Sequence, residues 1–149
     1  LIFKMLKIRR LTLKTMKMIV MLSMLALFCL VLARDILDTD SPYRDVSPQQ
    51  AKRLIEKYPD IKIIDVSGIF EKGHIPGAVN YYIGDGSFDE ALERLDKKNR
   101  YLVYYHTTKP SITAAEKLHS AGFKKVYRLK GNYFAWVQAG FETAHKTTT

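Results

Sequence analysis

Three short apolar runs constrain this chain more than any other feature. Ile61 to Val66, Tyr101 to Tyr105 and Val126 to Leu129 are rich in β-branched and aromatic residues. Runs of this kind suit strands buried on both faces, which is the habit of parallel sheets. Helical signals lie between them. Ser47-Pro48-Gln49-Gln50 combines a serine N-cap, a proline at the first helical position and a glutamine that completes a capping box, and its helix runs to about Lys57. Ser87-Phe88-Asp89-Glu90 reads as a second capping box, opening a helix to about Leu95. Ser111 to Ala121 is helical in pattern, with Ser111 as its cap and Gly122 as its stop. A short last helix covers Tyr133 to Ala139 and closes at Gly140, and Tyr43 to Val46 and Ala78 to Tyr82 are two further strands. Strands alternating with helices at these intervals predict a single α/β domain, a parallel sheet with helices on both faces.

The N-terminus has a different composition. Residues 1–17 carry Lys4, Lys7, Arg9, Arg10, Lys14 and Lys17 and no acid, and Met18 to Ala33 then runs sixteen residues without a charge. A basic stretch followed by an apolar one is the pattern of a secretory signal or a signal anchor. Sixteen residues fall slightly short of the roughly 20 that a membrane span needs, which favours cleavage, and Val31-Leu32-Ala33 offers a site after Ala33. Retention as an anchor stays open, as does lipidation at Cys29, against which stands the bulky Phe28 before it. A buried first helix fits poorly, because six cations flank a stretch with no amphipathic pattern. With Leu at position 1, Met5, Met16 and Met18 are candidate starts. The expected organisation is a signal peptide or membrane anchor over 1–33, a tether over 34–42, the domain over 43–141 and a flexible tail over 142–149. The expected location is extracytoplasmic: secreted, periplasmic or membrane-anchored.

The net charge of +9 belongs largely to that leader. All fifteen acids and eighteen of the twenty-four Lys and Arg lie after position 33, so the domain is near +3. No dense basic stripe of the sort nucleic acid requires is visible. Residues 34–149 contain no cysteine, which excludes a disulfide, a thiolate metal site or a redox pair there. No metal and no cofactor are expected.

Gly73-His74-Ile75-Pro76-Gly77-Ala78 is preceded by Ile63-Ile64-Asp65-Val66 and echoed by Gly131-Asn132-Tyr133-Phe134-Ala135-Trp136-Val137-Gln138-Ala139-Gly140. In these motifs the chain resembles the rhodanese-like (thiosulfate sulfurtransferase) family from about Tyr43 to Phe141. The resemblance implies a six-residue loop after the central strand, opening with a sulfur-bearing cysteine, usually ending in arginine and leading into a helix N-terminus. Backbone N–H groups and the helix dipole then lower the thiol pKa and steady a persulfide.

The matching loop here is Tyr105-His106-Thr107-Thr108-Lys109-Pro110, followed by Ser111. Tyr105 takes the cysteine position, Thr108 stands where a glycine is usual, Pro110 replaces the arginine, and Ser67 replaces the arginine that often follows Asp65-Val66. A phenol with a pKa of about 10 is mostly protonated at neutral pH and forms no stable analogue of a persulfide. These departures cluster in the loop, which implies a catalytically silent family member. Its large ring makes Tyr105 a plug for the cradle, on the same strand face as Tyr101 and Val103. His74 reads as a hydrogen-bonded turn residue and Trp136 as a core anchor. The anion-binding candidates are Tyr105, His106, Thr107, Thr108, Lys109 and Ser111, none with a demonstrable catalytic role. The leading expectation is a module that binds a protein partner or a small anion. The alternative is an enzyme of sulfur or oxyanion metabolism that uses His106, otherwise a surface loop histidine, and Lys109.

Overall fold

In the computed structural model the described residues are 14–28 and 41–145. The chain divides into two units, Leu1–Ser41 and Pro42–Thr149. In the first, residues 14–28 form a helix, α1, whose side chains are exposed. Among the described residues no helix is long and apolar enough to cross a membrane. Cys29, the cleavage point after Ala33, most of the tether and the last four residues lie outside the described residues.

The second unit is built on a five-stranded sheet in the order β1-β5-β4-β2-β3, every pairing parallel. The strands are β1 (Arg44–Val46), β2 (Lys62–Asp65), β3 (Ala78–Asn80), β4 (Arg100–Tyr104) and β5 (Lys125–Leu129). The helices are α2 (Pro48–Lys57), α3 (Ser87–Arg94), α4 (Thr108–Ser120) and α5 (Asn132–Gln138), with a 3-10 turn at Phe70–Lys72. Central β4 shows why its sequence is apolar throughout. Tyr101 and Val103 enter a core with Ile64, Phe88, Ala115 and Leu118 under α3 and α4, whereas Leu102 and Tyr104 enter a second core with Ala51, Ile63, Ile75 and Trp136 under α2 and α5. Both faces are covered, so alternation of side chains brings no alternation of polarity. The edge strands β1 and β3 are three residues each, too short to invite further pairing.

Ser47 caps α2 as its sequence predicts, with the reciprocal bonds to Gln50 in place. The second capping box does not form. Gly86, in the left-handed region at φ 88°, is the N-cap of α3, and Ser87 is the first helical residue. The Asp85 carboxylate accepts the Ser87 N–H at 2.9 Å and the Ser87 hydroxyl donates to the Tyr82 carbonyl, so the aspartate two residues earlier has taken over the role. That bond holds the Asp85 carboxyl below its usual range.

Helix α4 likewise starts three residues before the expected cap, with Thr107 as N-cap. Ser111 is fully buried inside the helix and donates to the Thr108 carbonyl.

The segment after Phe141 is not a loose end as far as it is described. The Trp136 indole donates to the Glu142 carbonyl at 2.8 Å, and Ala144 pairs with His74 in a short antiparallel bridge of 2.8 and 2.9 Å. The indole bond fastens it to α5, and two backbone bonds fasten it to the Gly73-His74 turn, a partner no local pattern announces.

Candidate functional site

Strand β4 ends at Tyr104, and only Tyr105, His106 and Thr107 separate it from α4. The candidate site is therefore a three-residue crossing followed by the first turn of a helix. Thr107, Thr108 and Lys109 are exposed there. The first-turn N–H groups of a helix have no acceptor within it, and Pro110, the third helical residue, has none to offer. The first turn thus carries the threonine and lysine amides and lacks a donor at Pro110.

Tyr105 is half-buried and packs with Tyr101 and Val103 on the α3 and α4 side, as strand alternation predicts. Its backbone is clamped at both ends by α5: its N–H donates to Asn132 Oδ1 at 3.2 Å, and its carbonyl accepts the Tyr133 N–H at 3.0 Å. Asn132 adopts φ 57°, a left-handed conformation uncommon outside glycine. The Gly131-Asn132 pair therefore bends the chain so that a buried amide meets the loop.

His106 is turned inward. Its ring packs on Tyr133 with centroids 4.7 Å apart, and its Nε2 lies 3.6 Å from Oδ2 of Asp65, with side-chain exposures of 17% and 0%. Asp65 ends β2, directly opposite Tyr104 in the sheet register. Its other oxygen accepts the Ser67 N–H at 2.7 Å, and the Asn80 amide donates to the carbonyls of Asp65 and Ser67. The Tyr104 hydroxyl accepts the Ile75 N–H at 3.0 Å, and burial followed by the nearby Asp65 charge raises its phenol far above the ordinary range.

Ser111 faces away from the loop, where its hydroxyl accepts from Arg128 Nη1 at 3.4 Å. Arg128 is itself nearly buried and pairs through Nε and Nη2 with both oxygens of Asp45. Of the sequence candidates, the structure groups Tyr105, His106, Thr107, Thr108 and Lys109 at one loop and sends Ser111 to the core. His74 stacks on Phe70 at 3.7 Å with its Nδ1 3.2 Å from the Phe70 carbonyl, a turn residue as expected.

The profile of the rhodanese-like domain matches residues 47–139, more than half of the chain. The chain belongs to the rhodanese-like domain family. This rhodanese-like domain is 33% identical over 96 residues to the thiosulfate sulfurtransferase GlpE of Coxiella burnetii, covering 63% of the chain and 87% of that protein. It is 27% identical over 94 residues to the putative sulfur carrier protein YrkF of Bacillus subtilis, covering 62% of the chain and 50% of that protein. Among solved structures, the rhodanese-like domain of the Alr3790 protein from Anabaena sp. superimposes with a TM-score of 0.61 at 31% identity, over 73% of this chain and 86% of that one. The domain is thus related to sulfurtransferases and sulfur carriers.

Sequence reasoning noted Asp65 and Asn132 only as parts of motifs. It had no means of seeing that Asp65 faces His106, because strand order places β2 beside β4 although β3 and α3 intervene in the chain. Arg128 beneath Ser111 was hidden in the same way, by the pairing of β5 with both β4 and β1.

Proposed function

We propose that this rhodanese-like domain is not a sulfurtransferase and serves as a binding module for a small anion or a protein partner, outside the cytoplasm or at a membrane surface. The observation that carries the reading is chemical: residues 34–149 hold no thiol, and the loop before α4 opens with Tyr105. A persulfide needs sulfur at that position, and a phenol oxygen does not replace it. The scaffold around the loop is otherwise kept, with its helix start, its clamp from α5 and its exposed first-turn amides. Such a loop binds oxyanions through backbone donors and the helix dipole. The basic, then apolar leader supports delivery to the membrane or beyond it.

Calorimetric titration of the protein with thiosulfate, sulfite and phosphate tests the binding reading. Saturable heat with at least one is expected, and silence with all three rejects the anion role. Fractionation of tagged protein tests the location. A full-length product found only in the cytoplasm contradicts it.

A further inference from the structure

At the end of the sheet away from the candidate loop, three turns run into the inner strands: residues 57–62 into β2, 95–100 into β4 and 121–125 into β5. They hold seven Lys and Arg against two acids, Asp60 and Asp96, so this end carries a formal charge of +5. The other residues of 34–149 hold eleven cations and thirteen acids. The modest net charge of the domain is thus a cationic face on a slightly acidic body, and the sequence scatters that face over three separate turns. Parallel pairing gathers it. Arg100 stands opposite Lys125 in the register of β4 and β5, and Lys125 Nζ donates to the Lys98 carbonyl at 3.2 Å. Lys97 Nζ lies 5.9 Å from the ring of Phe123, the residue before Lys124. The Arg100 guanidinium covers the Tyr58 ring at 3.9 Å, with Lys57 Nζ 5.3 Å from the same ring.

Helix dipoles account for only part of this charge. Helices α2, α3 and α4 end here, but Lys57, Arg94 and Lys117 already sit in their last turns. Lys62, Lys97, Lys98, Lys124 and Lys125 lie beyond the helices and are exposed. What the face lacks decides its ligand. Ile61 and Phe123 are buried, Leu95 packs on the core and Tyr58 lies under Arg100. The turns therefore present no large apolar anchor of the kind that dominates protein interfaces, and no open ring on which a base could stack. Six of the seven cations are lysines, point charges without the planar fork that fixes one carboxylate or phosphate in a set pose. Lysines spread over a face suit a surface of anionic headgroups, which attracts each of them separately within a Debye length. Resting on the membrane-surface reading above, we propose that the amino end of the sheet docks on anionic lipid headgroups. The candidate loop, at the carboxyl end, then faces away from the bilayer.

The test is amine labelling of the full chain, read by mass spectrometry, on vesicles of phosphatidylcholine alone and of phosphatidylcholine mixed with phosphatidylglycerol. On the membrane-surface reading the leader holds the chain on both, so the difference between them reports the face. Labelling of Lys62, Lys98, Lys124 and Lys125 is expected to fall about fivefold on the mixed vesicles. Lys72 and Lys130, exposed beyond the carboxyl ends of β2 and β5, should keep their reactivity. The protection should vanish at about 1 M salt, where the Debye length is ~3 Å. Labelling that does not fall on the mixed vesicles overturns the inference, and membrane association stands if the chain still sediments with them. A chain that sediments with neither vesicle overturns both. Equal protection at the two ends of the sheet overturns the inference, as does protection by polyglutamate or duplex DNA but not by the mixed vesicles, which assigns the face to an acidic macromolecule. Combining Lys97→Glu, Lys98→Glu, Lys124→Glu and Lys125→Glu should restore the labelling of Lys62 on mixed vesicles, and continued protection of Lys62 in that variant refutes the docking face.

Discussion

Gly73 shows how closely single residues are held near the site. It sits at φ 142°, and a Cβ there would come within 2.5 Å of the Tyr133 hydroxyl and 3.1 Å of the His145 ring. Gly73→Ala should therefore cost about 1–3 kcal/mol in denaturant unfolding, and it should disturb the ring that packs on His106. Tyr104 makes a second residue-scale prediction. Its hydroxyl is the acceptor for the buried Ile75 N–H, so Tyr104→Phe leaves that donor unpaired and should cost about 1–3 kcal/mol at pH 7. The phenol also links stability to pH. Burial raises its folded-state pKa above the unfolded value of about 10. The unfolded chain thus releases this proton first, so stability is full below about pH 10 and falls as pH rises above it. Unfolding measured at increasing pH should show a shallower alkaline loss in Tyr104→Phe than in the wild type.

At the scale of elements, the sheet distributes its sensitivity from centre to edge. Leu102, fully buried on β4, should cost about 2–5 kcal/mol when truncated to alanine. Val79→Ala on the edge strand β3, where the side chain is 52% exposed, should stay within about 0.5 kcal/mol. Thermal unfolding of the two variants side by side checks the contrast. That gradient was legible in the sequence, since the apolar runs at Ile61 to Val66, Tyr101 to Tyr105 and Val126 to Leu129 mark the three inner strands β2, β4 and β5. Helix starts were less legible. Ser47 and its glutamine lie where the pattern puts them, whereas Ser87 and Ser111 both carry cap-like signals that their surroundings override. In the first case Asp85 caps the amide of Ser87 itself, and the serine hydroxyl turns to the Tyr82 carbonyl. In the second the short crossing from β4 leaves room for an extra turn, and the Ser111 hydroxyl meets Arg128. The candidate loop was readable as a position and as a composition. The inward turn of His106 was not, because it depends on Asp65, whose approach is decided by the order of strands.

For the whole molecule, the proposed reading sets a rhodanese-like scaffold against residues 34–149 without a cysteine. The sheet, the clamp from α5 and the start of α4 form the framework of this domain, and the chain matches the Coxiella burnetii thiosulfate sulfurtransferase GlpE over 87% of that protein's length. The change lies in Tyr105 at the start of the loop and Pro110 in its helical turn. If only the chemistry has been removed, Tyr105→Cys should place a thiol beside the first-turn amides and bring its pKa below the ~8.5 of a free cysteine. The central claim is that this domain carries no sulfur because it has no thiol to hold it. The most direct measurement is thiocyanate formation from thiosulfate and cyanide by the full chain carrying Cys29→Ser, set against the same chain with Tyr105→Cys and Pro110→Arg added. The account predicts background rates from the first and weak but measurable transfer from the second. Turnover by the thiol-free chain, lost on Tyr105→Phe or His106→Ala, would contradict it.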